Sequence, residues 1–481
     1  MIADPASTDA LSPAKRARLV AFLGGLPPGP AGKLFAALET DRARGGAALP
    51  HDALLDILRA ELVAREGKFP PRQRNAERVF FTPFEDFFVA FRTGRKRKGR
   101  IARSSLTPLW RILKTDPAAS GAARAASALD GAIRENSPNL PTFEEALFLA
   151  AAEGFGRLLA HAEADTAFRA DLIDRLGGPD GFDDFREISR LIGAVHHLRS
   201  LQAAFARPVR SLTEEDLYEM RRLYVAARAD IGDAAPYLLL QLMGRMEGPW
   251  RALRLYYHLT SAEDGALGPA REESAIILDT LFDDLEGAAR LLERDCEGDF
   301  DAAIAETHLS HFIAFAEGLS EEAGRAGDRV VQNRVEAARD VAAGALERFT
   351  EQALASLRRA MPVRHAGGSS RLMALRPDCS RPMPPRVVAA ARQATAFRAK
   401  AAGLAARLRR PQAGKNVAAD AAEEARRYAG DLVLEIRAAE GEDRVAARRL
   451  MEAVLEFGAP LLQADEVGLL RERAQAAALT A

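Results

Sequence analysis

A chain of 481 residues, 48% apolar and 28% charged, can bury a sizeable core and has room for two to four domains or one long helical assembly. Its net charge of −1 excludes a uniformly basic or acidic protein. Cys296 and Cys379 are the only cysteines, which excludes a disulfide scaffold or a thiolate zinc cluster and suits a reducing cytosol. Lysine is rare, 8 of 67 basic residues, and with the abundance of alanine this matches GC-rich bacterial coding.

The first eleven residues, 1–11, carry early acids and no apolar h-region, so they read as a disordered start and not as a signal peptide. Ser12 and Pro13 then open an N-terminal helical domain, 12–135. Within it, 69–91 holds seven of the 23 phenylalanines. Thr82, Pro83 and Glu85 form a helix-start pattern, which predicts a helix with Phe84, Phe87, Phe88 and Phe91 at i, i+3, i+4 and i+7. That stripe is a core face, or a docking face for a partner helix or a membrane surface.

A basic run follows at 92–103: Arg92, Arg95, Lys96, Arg97, Lys98, Arg100 and Arg103, with no acid among them. Gly94 and Gly99 predict a loop. Seven clustered cations are the candidate polyanion- or partner-binding element. Charge is blocked along the chain. Residues 69–114 carry 12 bases and 3 acids, 362–410 carry 11 and 1, and 115–361 carry 26 and 43. Either the two basic segments lie on the protein's own acidic region, or they face an external anion.

Asn136 to Pro141 mark a boundary to an acidic central helical domain, 142–361. Helices start there after Thr142 and Thr213. Leu278, Leu281, Phe282, Leu285, Ala289 and Leu292 form one buried stripe. Between 301 and 361 the pattern is nearly continuous: one very long helix, or two broken near Gly318, Gly324 or Gly327. A basic Pro/Gly/Ser-rich linker or loop, 362–385, precedes an alanine-rich helical region, 386–481. No stretch approaches the roughly 18 apolar residues of a membrane span.

Catalytic patterns are lacking. The Gly32-Lys33 pair has neither the first glycine nor the Ser/Thr of a phosphate loop. His308 and His311 have chelating spacing but no third ligand, and Asp279 and Asp283 lie opposite the apolar stripe of their helix. Cys379 has arginine neighbours that would lower its pKa in an exposed loop. The fold expected is all-α: a multi-helix bundle assembly with one or two long central helices and an alanine-rich C-terminal region. The function expected is a non-enzymatic cytoplasmic scaffold or adaptor for a protein partner, with no cofactor and no metal. Nucleic-acid association through the two basic segments is an alternative. So is association with an anionic membrane surface through the phenylalanine helix and its basic neighbour.

Overall fold

The computed structural model describes residues 13–24, 26, 28–43, 49–66, 74–90, 96–261, 271–365, 375–380 and 382–479. The expectations placed on 1–12, Phe91, Arg92, Gly94, Arg95 and 367–370 fall outside these residues.

The fold is all-α. The helices are α1 Pro13–Gly24, α2 Pro28–Ala43, α3 His51–Glu66, α4 Ala76–Phe81, α5 Leu106–Thr115, α6 Ser120–Arg134, α7 Leu140–Ala164, α8 Thr166–Arg175, α9 Pro179–Ile192 and α10 Val195–Ala204. They continue as α11 Glu214–Ile231, α12 Pro236–Arg245, α13 Ala252–Ser261, α14 Arg271–Asp295, α15 Ala302–Ala326, α16 Arg329–Arg359, α17 Pro385–Arg407, α18 Val417–Ala438, α19 Gly441–Gly458 and α20 Ala464–Leu479. Strands are minimal among the described residues. Phe88–Val89 pairs in parallel with Ile101–Ala102, and Val363–His365 pairs antiparallel with Leu375–Pro377. No described helix is long and apolar enough to cross a membrane.

The chain forms two compact units, 1–207 with 222–245, and 208–221 with 246–481. The division passes through α11 and not through 136–141 or 362–385.

In the first unit, α1 to α3 close on Leu23, Phe35, Leu38, Leu55, Leu58 and Leu62. The phenylalanine segment starts earlier than the Thr82 pattern predicts. Asn75 caps α4 by accepting from the Arg78 N–H at 2.9 Å. The Ala76 N–H donates to Asp130 Oδ1 at 2.7 Å. Two of the orphan donors of the first turn are thereby satisfied before Thr82 is reached. The Thr82 hydroxyl instead donates back to the Arg78 carbonyl at 2.6 Å, and the chain tightens into a 3₁₀ helix, Thr82–Phe87. At three residues per turn Phe84 and Phe87 stack on one side, and both are buried. Phe88 leaves in extended backbone and is half-buried. Phe80 is the centre of the aromatic core, with ring contacts to Phe81, Phe84, Trp110, Phe148 and Phe155.

In the second unit, α14, α15 and α16 pack on one another, and α17 packs on α16. The 301–361 pattern resolves into two helices. Gly327 ends α15 at φ +69°, a left-handed position that costs a glycine little. Asp328 then caps α16, accepting from Val330 and Val331 at 2.9 and 3.0 Å. Gly318 does not break α15; it makes room for the Trp250 indole, to which an added Cβ would approach within 2.2 Å. The C-terminal helices α17 to α20 bury Tyr428, Leu432, Ile436, Met451, Val454 and Phe457.

The two glycines Gly318 and Gly344 should therefore respond oppositely to alanine. Gly318→Ala is expected to destabilise by about 1–3 kcal/mol, because the indole must shift. Gly344→Ala, with nothing within 4 Å of its new Cβ, is expected to stabilise α16 by about 0.5–1 kcal/mol. Urea unfolding monitored by circular dichroism compares the two.

Candidate functional site

The described part of the basic run does not stand out from the protein as a free strip. Lys96 is turned onto α9: its Nζ contacts Asp184 Oδ1 at 2.6 Å and pairs with Glu187, and it also donates to the Arg100 carbonyl at 2.6 Å. Asp184 is fully buried and accepts further from the Ala102 N–H at 3.0 Å and the Ser105 hydroxyl at 2.7 Å. The Gly99 N–H reaches Glu187 Oε1 at 2.6 Å. Gly99 has φ +73°, and a Cβ there would meet Leu240 at 2.7 Å, so both backbone and space demand glycine. Lys98 lies over the Tyr237 ring at 4.7 Å. Arg103 faces Glu85 at 3.5 Å and the Phe88 ring at 5.6 Å. Arg97 and Arg100 close a turn through their backbones at 3.3 Å.

Asp184, Glu187 and Tyr237 were not among the residues the sequence pointed to. One signal was present. Asp184, Phe185, Ile188, Leu191 and Ile192 share one buried face of α9, so Asp184 is a carboxylate inside an apolar stripe. Such a residue requires partners, because a buried unpaired charge is strongly disfavoured.

In the second unit, carboxylates likewise meet the second basic segment. Lys400 contacts Glu306 at 2.7 Å, Arg407 contacts Glu317 at 2.8 Å, and Arg410 contacts Asp340 at 2.5 Å and Glu336 at 2.9 Å. Burial tends to raise the Glu336 pKa, but Arg410 and Arg339 outweigh it and hold the carboxyl below its ordinary range. Arg364 and Arg376 both approach Glu435, at 3.0 and 3.5 Å. Arg398 is buried and donates to two backbone carbonyls, of Thr350 and Val417, at 2.5 Å each.

The other sequence candidates are scattered. His308 Nδ1 binds Asp295 at 2.6 Å, and no described group of three or more His, Cys, Asp or Glu could hold a metal ion. Glu286, next to the Asp279 pattern, pairs with Arg334 at 2.8 Å. Cys379 is half-buried against the C-terminal core. Its pKa is raised and not lowered: burial, then Glu435, pushes it up to about 11, outweighing Arg364.

One large concavity lies in the C-terminal helices. Residues of α17, α19 and α20 line an open groove of about 1030 Å³. Val388, Ala389, Val445, Ala453 and Val467 supply its apolar lining. It shares Met383, Val388, Val445, Arg449 and Ala453 with a second hollow of about 630 Å³ beside Cys379. On α19, Val445, Arg448, Arg449, Glu452, Ala453 and Glu456 fall at i, i+3, i+4, i+7, i+8 and i+11, which turns all six to the groove. Glu452 faces Arg471 at 3.4 Å and Glu456 pairs with Arg392. Arg448 and Arg449 are exposed, with no carboxylate partner among the described residues. No protein family, curated protein or solved structure matches the chain.

Two outcomes follow. Lys96→Met leaves Asp184 buried without its ammonium and is expected to cost about 3–5 kcal/mol, whereas Arg103→Ser, at an exposed pair, should cost at most about 1 kcal/mol. Denaturant melts of the two variants provide the check. Cys379 should be alkylated by iodoacetamide at pH 7 at least about a hundredfold more slowly than free cysteine, because a thiol near pKa 11 holds very little thiolate there. The rate should climb as pH approaches 11. Site-resolved mass spectrometry reads it, and a rate within about tenfold of free cysteine at pH 7 would contradict the assignment.

Proposed function

We propose that this chain is a non-enzymatic helical scaffold that binds a partner protein through the groove of α17, α19 and α20. One observation carries the reading: an apolar groove of about 1030 Å³ bordered by Arg448 and Arg449, which have no carboxylate partner among the described residues. The size and lining suit an amphipathic helix laid in a groove, a recurrent mode of recognition between proteins. Charge complementarity names the occupant. Its apolar face lies on Val388, Val445 and Val467, and its acidic border meets Arg448 and Arg449. Glu442 and Asp443, at the start of α19, favour a basic residue at the other end of the same segment. The nucleic-acid and membrane readings draw less support, because Lys96 and most of the described cations of 362–410 already face carboxylates of the chain. The two free cysteines agree with a reducing compartment, and the cytoplasm is the proposed location.

A labelled synthetic helix of about 18 residues, five turns long, tests this when leucines line one face and glutamates border it. The full chain should bind it with saturable anisotropy. Arg448→Glu with Arg449→Glu should weaken binding at least about tenfold, the scale of one charge-assisted contact. A lysine-bordered analogue should bind as weakly as that variant does. Equal binding of the two peptides, or no binding of either, would contradict the proposal.

A further inference from the structure

On one side α7 buries Leu147, Phe148, Ala151, Phe155 and Leu158. Its outer side carries Leu149, which is 63% exposed. Ala146, one turn before it, and Gly156, two turns after it, are exposed as well, so small residues flank the leucine and leave it standing as a knob. Glu145, also one turn before Leu149, is exposed and makes no ion pair among the described residues. An apolar side chain with an acid one turn away is the chemistry that the groove of α17, α19 and α20 would accept. Resting on the groove reading above, we infer that its partner is a second copy of this chain, which seats Leu149 on Val445 and Glu145 on Arg448 and Arg449.

The spacings agree, and they fix a direction. On α19, Arg448 and Arg449 lie one turn after Val445; on α7, Glu145 lies one turn before Leu149. Each step is about 5 Å along its helix. Leucine meets valine and glutamate meets arginine only when α7 of one copy runs antiparallel to α19 of the other. In the parallel direction Glu145 would face Glu442 and Asp443, with like charges opposed. In the antiparallel direction Glu153 comes to Glu442 and Asp443, but it is paired with Arg157 at 3.6 Å, so a cation accompanies it. Two other exposed apolar side chains fit less well. Leu434 has Arg437 one turn on, which would bring a cation to the two arginines. Tyr218 has Glu214 one turn before it, but its ring already packs edge-on against His258 at 5.2 Å.

Knob and groove are different surfaces of one chain, so the contact is heterologous: every copy offers both, and copies add head to tail into a ring or a filament. One helix face in one groove buries less than a permanent interface does, so the assembly is reversible and grows with concentration.

Sedimentation velocity of the full chain across a concentration series tests this. Wild type should shift to larger species with a Kd below about 100 μM. Leu149→Ser with Glu145→Gln should weaken association at least about tenfold, and so should Arg448→Glu with Arg449→Glu. All four side chains are exposed, so the urea midpoints should stay unchanged. An equimolar mixture of the two double variants retains one intact knob and one intact groove, and should form a heterodimer that grows no further. A chain that stays monomeric, association unaffected by the α7 variant, or a mixture no more associated than its components would each overturn the inference. The leucine–glutamate peptide separates the two levels of the account, because the α7 variant should bind it as wild type does. A monomeric chain that binds the peptide loses the second copy as partner and keeps the groove; one that does neither loses both.

Discussion

Burying a carboxylate is the constraint around which the first unit is arranged. Asp184 has no exposed surface, and an isolated ionised carboxyl in that position would be too costly to keep. An ammonium, two backbone N–H groups and a hydroxyl of one segment reach it or its neighbour Glu187. All four come from a segment about 80–90 residues earlier in the chain, 96–105. Satisfying Asp184 thus fixes the path of that segment, including the left-handed turn at Gly99 that brings its N–H to Glu187.

The same logic, in weaker form, recurs in the second unit. Lys400 and Arg407 of α17, and Arg410 just after it, face Glu306, Glu317, Glu336 and Asp340. Such exposed pairs add little stability individually, about 0–1 kcal/mol each. The apolar cores around Leu346, Phe349 and Phe397, and around Leu432 and Val454, supply the driving force. What opposite charges add is selectivity: α17 set one turn off register on α15 and α16 would lose several pairs together and place arginines against apolar surface. Arg448 and Arg449 differ from these residues in having no such carboxylate among the described residues, which is why the groove they border is the surface proposed for a partner.

The helical class was legible because it is local, whereas the sequence left open one long helix or a break at Gly318, Gly324 or Gly327, of which the chain uses Gly327. Apolar periodicity repeats within a dozen residues, and a glycine followed by an aspartate is a helix end followed by a cap. The start of the phenylalanine segment was misread for a physical reason. Asn75 and Thr82 are both competent caps in isolation, and Asp130, which takes the Ala76 N–H, lies 54 residues away in sequence. The pKa of Cys379 was misjudged in the same manner: flanking arginines are visible in the sequence, whereas Glu435 and the apolar packing around the thiol are not. Charge blocks showed that neutralisation was available, but the pairing of Lys96 with Asp184 spans 88 residues and follows only from the fold.

The central claim is that Lys96 and Asp184 hold the basic segment through a direct, desolvated interaction. A double-mutant cycle with Lys96→Met, Asp184→Asn and the combined variant, read by urea unfolding, tests it most directly. The account requires a coupling energy of about 1–3 kcal/mol between the two positions. Additivity within about 0.5 kcal/mol would show that the two side chains do not act on one another and would contradict it.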